Sequence, residues 1–193
     1  MTLHEFIRDK VFPAGFCDTM MRWKSLPNPH LNGANSLNYA YEDYDEEMIK
    51  KHCTGEVVLA ACNSNYAGYT CWLGLDIDCN SKNKEFALRN LYKALTLLEN
   101  CPHQAYLTMS NNYGGYHLWI FPTDPMEMQF AIAWIDDFTK PNLFERRPTY
   151  NIRPQVDPIY SSNILRLPGK SPKTGEWSKI LIDKKWIDVR EMQ

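Results

Sequence analysis

The chain has 193 residues, with 23 acidic and 21 basic side chains, a formal charge of −2 and a pI near 6.2. At 44% hydrophobic and 13% aromatic it carries enough apolar surface for a sizeable core, and its length suits one domain over 1–193. Its uncharged stretches are broken by Asn, Ser, Gly and Pro, and Glu5 and Asp9 interrupt the N-terminus, so membrane-spanning, secreted and fibrous classes are excluded and a cytoplasmic protein is expected.

In chain order, 1–54 reads as an N-terminal portion of helix and loop. Within it, 25–39 is rich in Pro, Asn and Gly and reads as a long loop; Asp43–His52 reads as a short helix. Glu56–Cys62 and Cys71–Ile77 read as strands around a turn with Asn65, Gly68 and Tyr69. Lys84–Asn100 is the clearest helix: Leu88, Leu91, Leu95 and Leu98 fall at helical spacing, and Pro102 stops it. Gln104–Met109 and Tyr116–Phe121 follow as strands joined by an Asn/Gly loop. Met126–Phe138 is a second helix, with Met126, Met128 and Phe130 as packing residues, and Trp119 reads as core. Tyr150–Val156, Asn163–Leu167 and Ser178–Ile182 are further short strands. Paired strands with two helices between them predict an α+β fold with a mostly antiparallel sheet.

Charge is uneven along the chain. Residues 1–138 hold 10 basic and 17 acidic side chains, a net of −7, whereas 139–193 hold 11 and 6, a net of +5. That balance argues against a strong nonspecific DNA binder but leaves the C-terminal third able to meet phosphates locally. The six cysteines contain no CxxC pair. His52, Cys53, Cys62 and Cys71 form a conceivable metal set, but free, partly buried thiols in a reducing compartment fit better.

Three constellations could carry chemistry. In the first, Leu73-Gly74-Leu75-Asp76-Ile77-Asp78, strand alternation would put Asp76 and Asp78 on one face and Leu75 and Ile77 in the core. Adjacent carboxylates repel, and a hard divalent cation between them relieves the repulsion. The spacing is not an EF-hand, since Ser81 stands where the loop needs glycine. In the second, Ser110-Asn111-Asn112-Tyr113-Gly114-Gly115-Tyr116-His117, a small polar loop leads into a strand bearing a histidine, which suits a phosphate. In the third, Asp157 precedes Arg166 on a short apolar strand, with Lys170, Ser171 and Lys173 in a Gly-bounded loop. An acid followed by several cations suits a metal–triphosphate site, although Gly169-Lys170-Ser171 lacks the upstream glycine of a P-loop.

Taken together, in this order, these elements resemble the archaeo-eukaryotic primase superfamily, in particular the primase-polymerase proteins of mobile elements, viruses and defence-linked islands. The resemblance covers roughly 55–182. It rests on Asp76 and Asp78, then Gly115-Tyr116-His117, then Asp157 with Arg166; Thr70-Cys71-Trp72 and Leu165-Arg166-Leu167-Pro168-Gly169 add to it. Two features depart from the replicative primases. Asn111, Asn112 and Tyr113 replace basic residues in the loop before the histidine, and Ser171-Pro172 replaces a histidine before Lys173-Thr174-Gly175.

The resemblance implies an N-terminal α/β unit packed on an RRM-like unit, with the active site in the cleft. It implies a template-directed nucleotidyltransferase that joins NTPs or dNTPs on single-stranded DNA by a two-metal mechanism, using two Mg²⁺ or Mn²⁺ ions. Asp76, Asp78 and Asp157 would be catalytic and hold the metals. His117 and Arg166 would meet phosphates, with Lys170 and Lys173 as further cations. Ser110, Asn112 and Tyr113 would line the nucleotide pocket, and Asn65 and Tyr66 are candidates for the sugar. Expected partners are the template, a primer strand and a separate helicase or other replication protein, with no membrane. Two other classes compete. One is a noncatalytic nucleotide- or nucleic-acid-binding module on the same scaffold, which has no need of three acids. The other is an Asp-x-Asp nucleotide-sugar transferase, which leaves His117 and Arg166 without a reason.

Overall fold

The computed structural model describes residues 1–13, 19–23, 39–62, 67–78, 84–111, 114–140, 155–159, 164–172 and 174–192. Of these, residues 19, 21, 23, 39–42, 78, 111 and 155–159 are described by backbone alone. The elements run α1 (Leu3–Glu5), continued by a π-helical turn (Phe6–Val11), then β1 (Thr19–Trp23), β2 (Tyr39–Asp43), α2 (Glu46–Thr54), β3 (Leu59–Cys62), β4 (Tyr69–Thr70) and β5 (Leu73–Asp78). They continue with α3 (Lys84–Asn100), β6 (Gln104–Asn111), β7 (Gly115–Phe121), β8 (Met126–Glu127), α4 (Met128–Thr139), β9 (Gln155–Ile159), β10 (Ile164–Arg166), β11 (Lys179–Ile182), β12 (Lys185–Asp188) and a 3₁₀ turn (Val189–Glu191).

Two main sheets form, both antiparallel throughout the described pairings. One has six strands in the order β12-β11-β6-β7-β5-β9, and the other has four in the order β10-β3-β1-β2. Each face of the six-stranded sheet has its own core, as period-two alternation requires. Leu73, Leu75, Ile77, Leu107, Leu118 and Ile120 pack with Ala94 and Leu97 of α3 and Ala131 and Ile135 of α4. Trp119 and Phe121 join Phe6, Met20, Leu59, Trp72 and Leu165 in the core shared with the N-terminal elements and the four-stranded sheet. The class is therefore α+β, as the element order predicts, and Trp119 is fully buried. Among the described residues, no helix is long and apolar enough to cross a membrane.

Several boundaries differ from expectation. The first predicted strand pair begins later, at Leu59 and Leu73, and α2 runs Glu46–Thr54, because Asp45 caps it through a bond from the Glu47 N–H (2.9 Å) and Asp43 belongs to β2. Gly55, with φ +80°, ends it. The helix expected from Met126 starts at Met128, because Met126 and Glu127 pair with Thr70 and Tyr69 instead. Phe130 and Leu88, read as packing positions, are 60% and 55% exposed. Of the strand expected at Tyr150–Val156, residues 150–154 lie outside the described residues; β9 covers Gln155–Ile159, where Pro158 is tolerated because β9 is an edge strand among the described residues. The loop expected over 25–39 falls, apart from Tyr39, outside the described residues, as does Asn65 of the expected turn.

The close approach of α3 to the β6–β7 hairpin depends on one glycine. Gly114 has φ +90°, and a Cβ there would lie 2.6 Å from Ala87 Cα and 2.8 Å from Ala87 Cβ. Asn90, fully buried on α3, donates to the Gly114 carbonyl at 3.0 Å. We expect Gly114→Ala to lower stability by about 2–4 kcal/mol, from left-handed strain and overpacking combined. A melting curve would show a fall of roughly 4–16 °C for a chain of this size. Gly68 and Gly175 also have positive φ but nothing within 4 Å, so the same change there should produce a clearly smaller fall.

Candidate functional site

Thr70, Cys71 and Trp72 set the entry to β5. The buried Thr70 hydroxyl donates to the Trp72 carbonyl and accepts the Trp72 N–H at 3.2 Å, a local bracket that turns the chain between β4 and β5. Trp72 then packs on Trp119 with ring centroids 5.0 Å apart. From that anchor, the register of four strands forms a transverse row: Thr108 on β6 opposes His117 on β7, His117 opposes Asp76 on β5, and Asp76 opposes Asp157 on β9. Asp78 stands two residues along β5, opposite Gln155. Thr108 braces the row by donating to the His117 carbonyl (3.4 Å) and accepting from Trp119 Nε1 (3.1 Å).

His117 is 6% exposed, and its Nε2 lies 3.5 Å from Asp76 Oδ1. Burial first, and then the positive charge of Arg166, push its pKa down to about 3, against a hydrogen bond with the Arg166 backbone that works the other way. The imidazole is therefore neutral near pH 7, and its approach to Asp76 is a polar contact rather than an ion pair. It does not neutralise the carboxylate.

Arg166 enters from the other sheet. It sits on β10 opposite Ala60 of β3, and its guanidinium donates to the Ser110 carbonyl on β6. That bond joins the two sheets beside the polar row. Ser110 also borders a small open cleft shared with Ser171, Thr174 and Ser178 of the following hairpin. Lys170 pairs with Trp177 in that hairpin, and its stem packs over Gly55, where a Cβ would come within 3.0 Å of Lys170 Cδ.

The structure thus brings together Asp76, Ser110, His117 and Arg166 by side chain or carbonyl, and Asp78 and Asp157 by backbone register. Asn112, Tyr113, Lys173, Asn65 and Tyr66 lie outside the described residues. The conceivable cysteine–histidine metal set loses His52, whose two ring nitrogens are both engaged by backbone groups. Cys53, Cys62, Cys71 and Cys101 are half-buried, and burial pushes the Cys53 thiol up to about 11.

Among the described side chains, no three His, Cys, Asp or Glu groups converge on one point. The acidic row, by its donor chemistry, nevertheless fits a hard cation. Like charges at directly opposed positions destabilise a sheet, and here Asp76 and Asp157 are opposed while the adjoining imidazole is neutral. Carboxylate oxygens in that arrangement suit Mg²⁺ or Mn²⁺.

A family model described as the archaeo-eukaryotic primase domain of the TOTE conflict system matches residues 9–148. Asp76, Asp78 and the segment from Ser110 to His117 lie inside the matched span, and Asp157, Arg166, Lys170 and Lys173 lie beyond its end. No curated protein matches the chain.

Proposed function

The chain belongs to the archaeo-eukaryotic primase family, in the form found in the TOTE conflict system, and from that premise we propose that it is a template-directed primase-polymerase. Members of the family are usually nucleotidyltransferases and generally use divalent metals. The observation that supports the reading most directly is the row Asp157–Asp76–His117, with Arg166 reaching in from the second sheet.

In this reading Asp76, Asp78 and Asp157 hold two divalent ions, which when bound supply Lewis-acid stabilisation of the triphosphate and acidify the attacking hydroxyl. The bond formed joins a 3′-oxygen to the α-phosphorus of an NTP or dNTP, and pyrophosphate leaves. His117, kept neutral by burial, donates a hydrogen bond to a phosphate oxygen without adding charge. Arg166 is oriented by the Ser110 carbonyl, which places its planar cation beside the row as a ligand for the phosphates. Ser110, Asn112 and Tyr113 border the nucleotide, and Lys170 and Lys173 add positive charge on the hairpin. The template is single-stranded DNA, met by backbone contacts and stacking, and a separate helicase supplies unwinding.

Incorporation of labelled NTPs and dNTPs on single-stranded DNA, with and without primer, in Mg²⁺ and in Mn²⁺, tests this reading. New products without primer identify a primase, and extension alone identifies a polymerase. Metal-dependent nucleotide binding with no incorporation on any template would overturn the enzyme in favour of a nucleotide-binding module.

A further inference from the structure

His52 is a buried polar side chain outside the row just described. It is fully buried on α2. Its Nδ1 accepts the N–H of Leu59, the first residue of β3, at 3.2 Å. A backbone N–H can only donate, so Nδ1 carries no proton, and Nε2 must be the donor in its 3.1 Å bond to the Pro168 carbonyl. Burial pushes the pKa down to about 4; the Pro168 and Val57 backbone groups work the other way, and the positive charge of Arg166 adds to the lowering. A single neutral tautomer therefore bridges β3 to the segment leaving β10.

The contact has no slack. A Cβ on Gly169 would fall 2.5 Å from His52 Nε2 and 2.6 Å from Cε1, so the Nε2–Cε1 edge of the ring meets the one residue type that admits it. Ser178 grips the same segment from the opposite side: its N–H donates to the Gly169 carbonyl (2.9 Å), as does its hydroxyl (3.0 Å), which also accepts the Gly169 N–H (3.2 Å). Pro168 is two residues after Arg166, and the Leu167 N–H is held by the Leu59 carbonyl at 3.0 Å. The backbone on the C-terminal side of Arg166 is thus fixed at every residue from 167 to 169.

We propose that His52 is a positioning residue for Arg166: by bridging Leu59 and Pro168 it fixes the end of β10 and so holds the guanidinium at Ser110, beside His117. The inference rests on the reading of Arg166 as a phosphate ligand. His52 touches no reacting group itself and acts through where it places Arg166.

The test compares two isosteric replacements by calorimetric titration with ATP and with dATP in Mg²⁺, alongside incorporation kinetics. His52→Gln carries an amide to the place of Nε2 and keeps a donor for Pro168, whereas His52→Asn reaches only as far as Nδ1. We expect His52→Asn to weaken nucleotide binding about tenfold, a loss on the scale of one charge-assisted contact, and to raise KM while kcat stays within about twofold. His52→Gln should recover binding to within about threefold of the wild type. Gly169→Ala, which pushes on the ring from the other side, should copy His52→Asn. In an Arg166→Ala background the His52→Asn effect should vanish, because its agent is gone.

Equal losses in His52→Gln and His52→Asn, tracking their melting temperatures, would reduce His52 to a structural role. A His52→Asn loss that persists undiminished in Arg166→Ala overturns the positioning route alone. Unchanged nucleotide binding in Arg166→Ala removes the phosphate role of Arg166 and overturns both readings.

Discussion

Replacing Asp76 with alanine is expected to reduce nucleotide incorporation by at least about a thousandfold while the fold remains intact. The size follows from the role: metal-borne stabilisation of transition-state charge amounts to several kcal/mol, and about 4 kcal/mol is a thousandfold in rate. Asp76 is the centre of the row, opposed by His117 on one strand and Asp157 on the other, so no other acid can take its place. Its effect on folding should be small and of the opposite sign. Without metal, three acids in adjoining positions repel, and removing one relieves the sheet. Asp76→Asn, which keeps the volume and loses the charge, should behave alike. Incorporation assays in Mg²⁺ and Mn²⁺, set beside urea unfolding in a metal-free buffer, measure both halves. Activity within tenfold of the wild type in either variant would remove Asp76 from the metal set.

The second large effect is on stability in mild acid. His52 and His117 are both buried neutral, with pKa values pushed by burial to about 4 and about 3 from an ordinary value of 6.5. Below pH 6.5 the unfolded chain takes up protons that the folded chain refuses, so each histidine's contribution is complete above that pH and is lost as pH falls towards the folded value. Between pH 7 and pH 5 the loss is roughly 2 kcal/mol for each, and about 4 kcal/mol together is a large part of a domain's stability. Among the described residues, the Asp9, Asp188 and Glu5 carboxyls are lowered from values of 4.5 or less, so those three act below this window. Urea midpoints at pH 7 and pH 5 should therefore differ strongly, and His52→Gln should remove about half of the difference. Equal midpoints at the two pH values would rule out the neutral, buried state of both rings.

What could be read from the residues and what could not divides along physical lines. α3 matches its expected span at both ends, because leucines at helical spacing and Pro102 are local signals. β5, β6 and β7 were legible within two residues because their apolar runs are long. β1 and β2 were not: Thr19–Trp23 and Tyr39–Asp43 carry no strong alternation, and their strand character comes from pairing with β3 and with each other. β12 hides behind an unusual turn, in which Asp183 and Lys184 take φ of 48° and 63° where Asn-Gly is the recognisable signal. Met126 and Glu127 look helical and become a strand only because β4 is there to meet them. At the site, Asp76, Asp157, His117 and Arg166 announced themselves as chemical types in a telling order. His52 did not, since a histidine beside a cysteine on a short helix looks like nothing until Leu59 and Pro168 close around it.

The four-stranded sheet takes its last strand from far along the chain: β10 pairs with β3 through Ile164 and Cys62. A ribosome adding roughly 5–20 residues per second needs on the order of 5–20 s to travel between those two positions. Throughout that interval β3 has a partner in β1 on one side and a bare edge on the other. The late arrival of β10 both seals that edge and, close behind Asp157 of β9, delivers Arg166 to Asp76 and His117, which were made long before. A polypeptide interrupted before β9 therefore holds Asp76 and Asp78 without Asp157 or the guanidinium, and synthesis itself keeps the row incomplete until β9 and β10 have emerged.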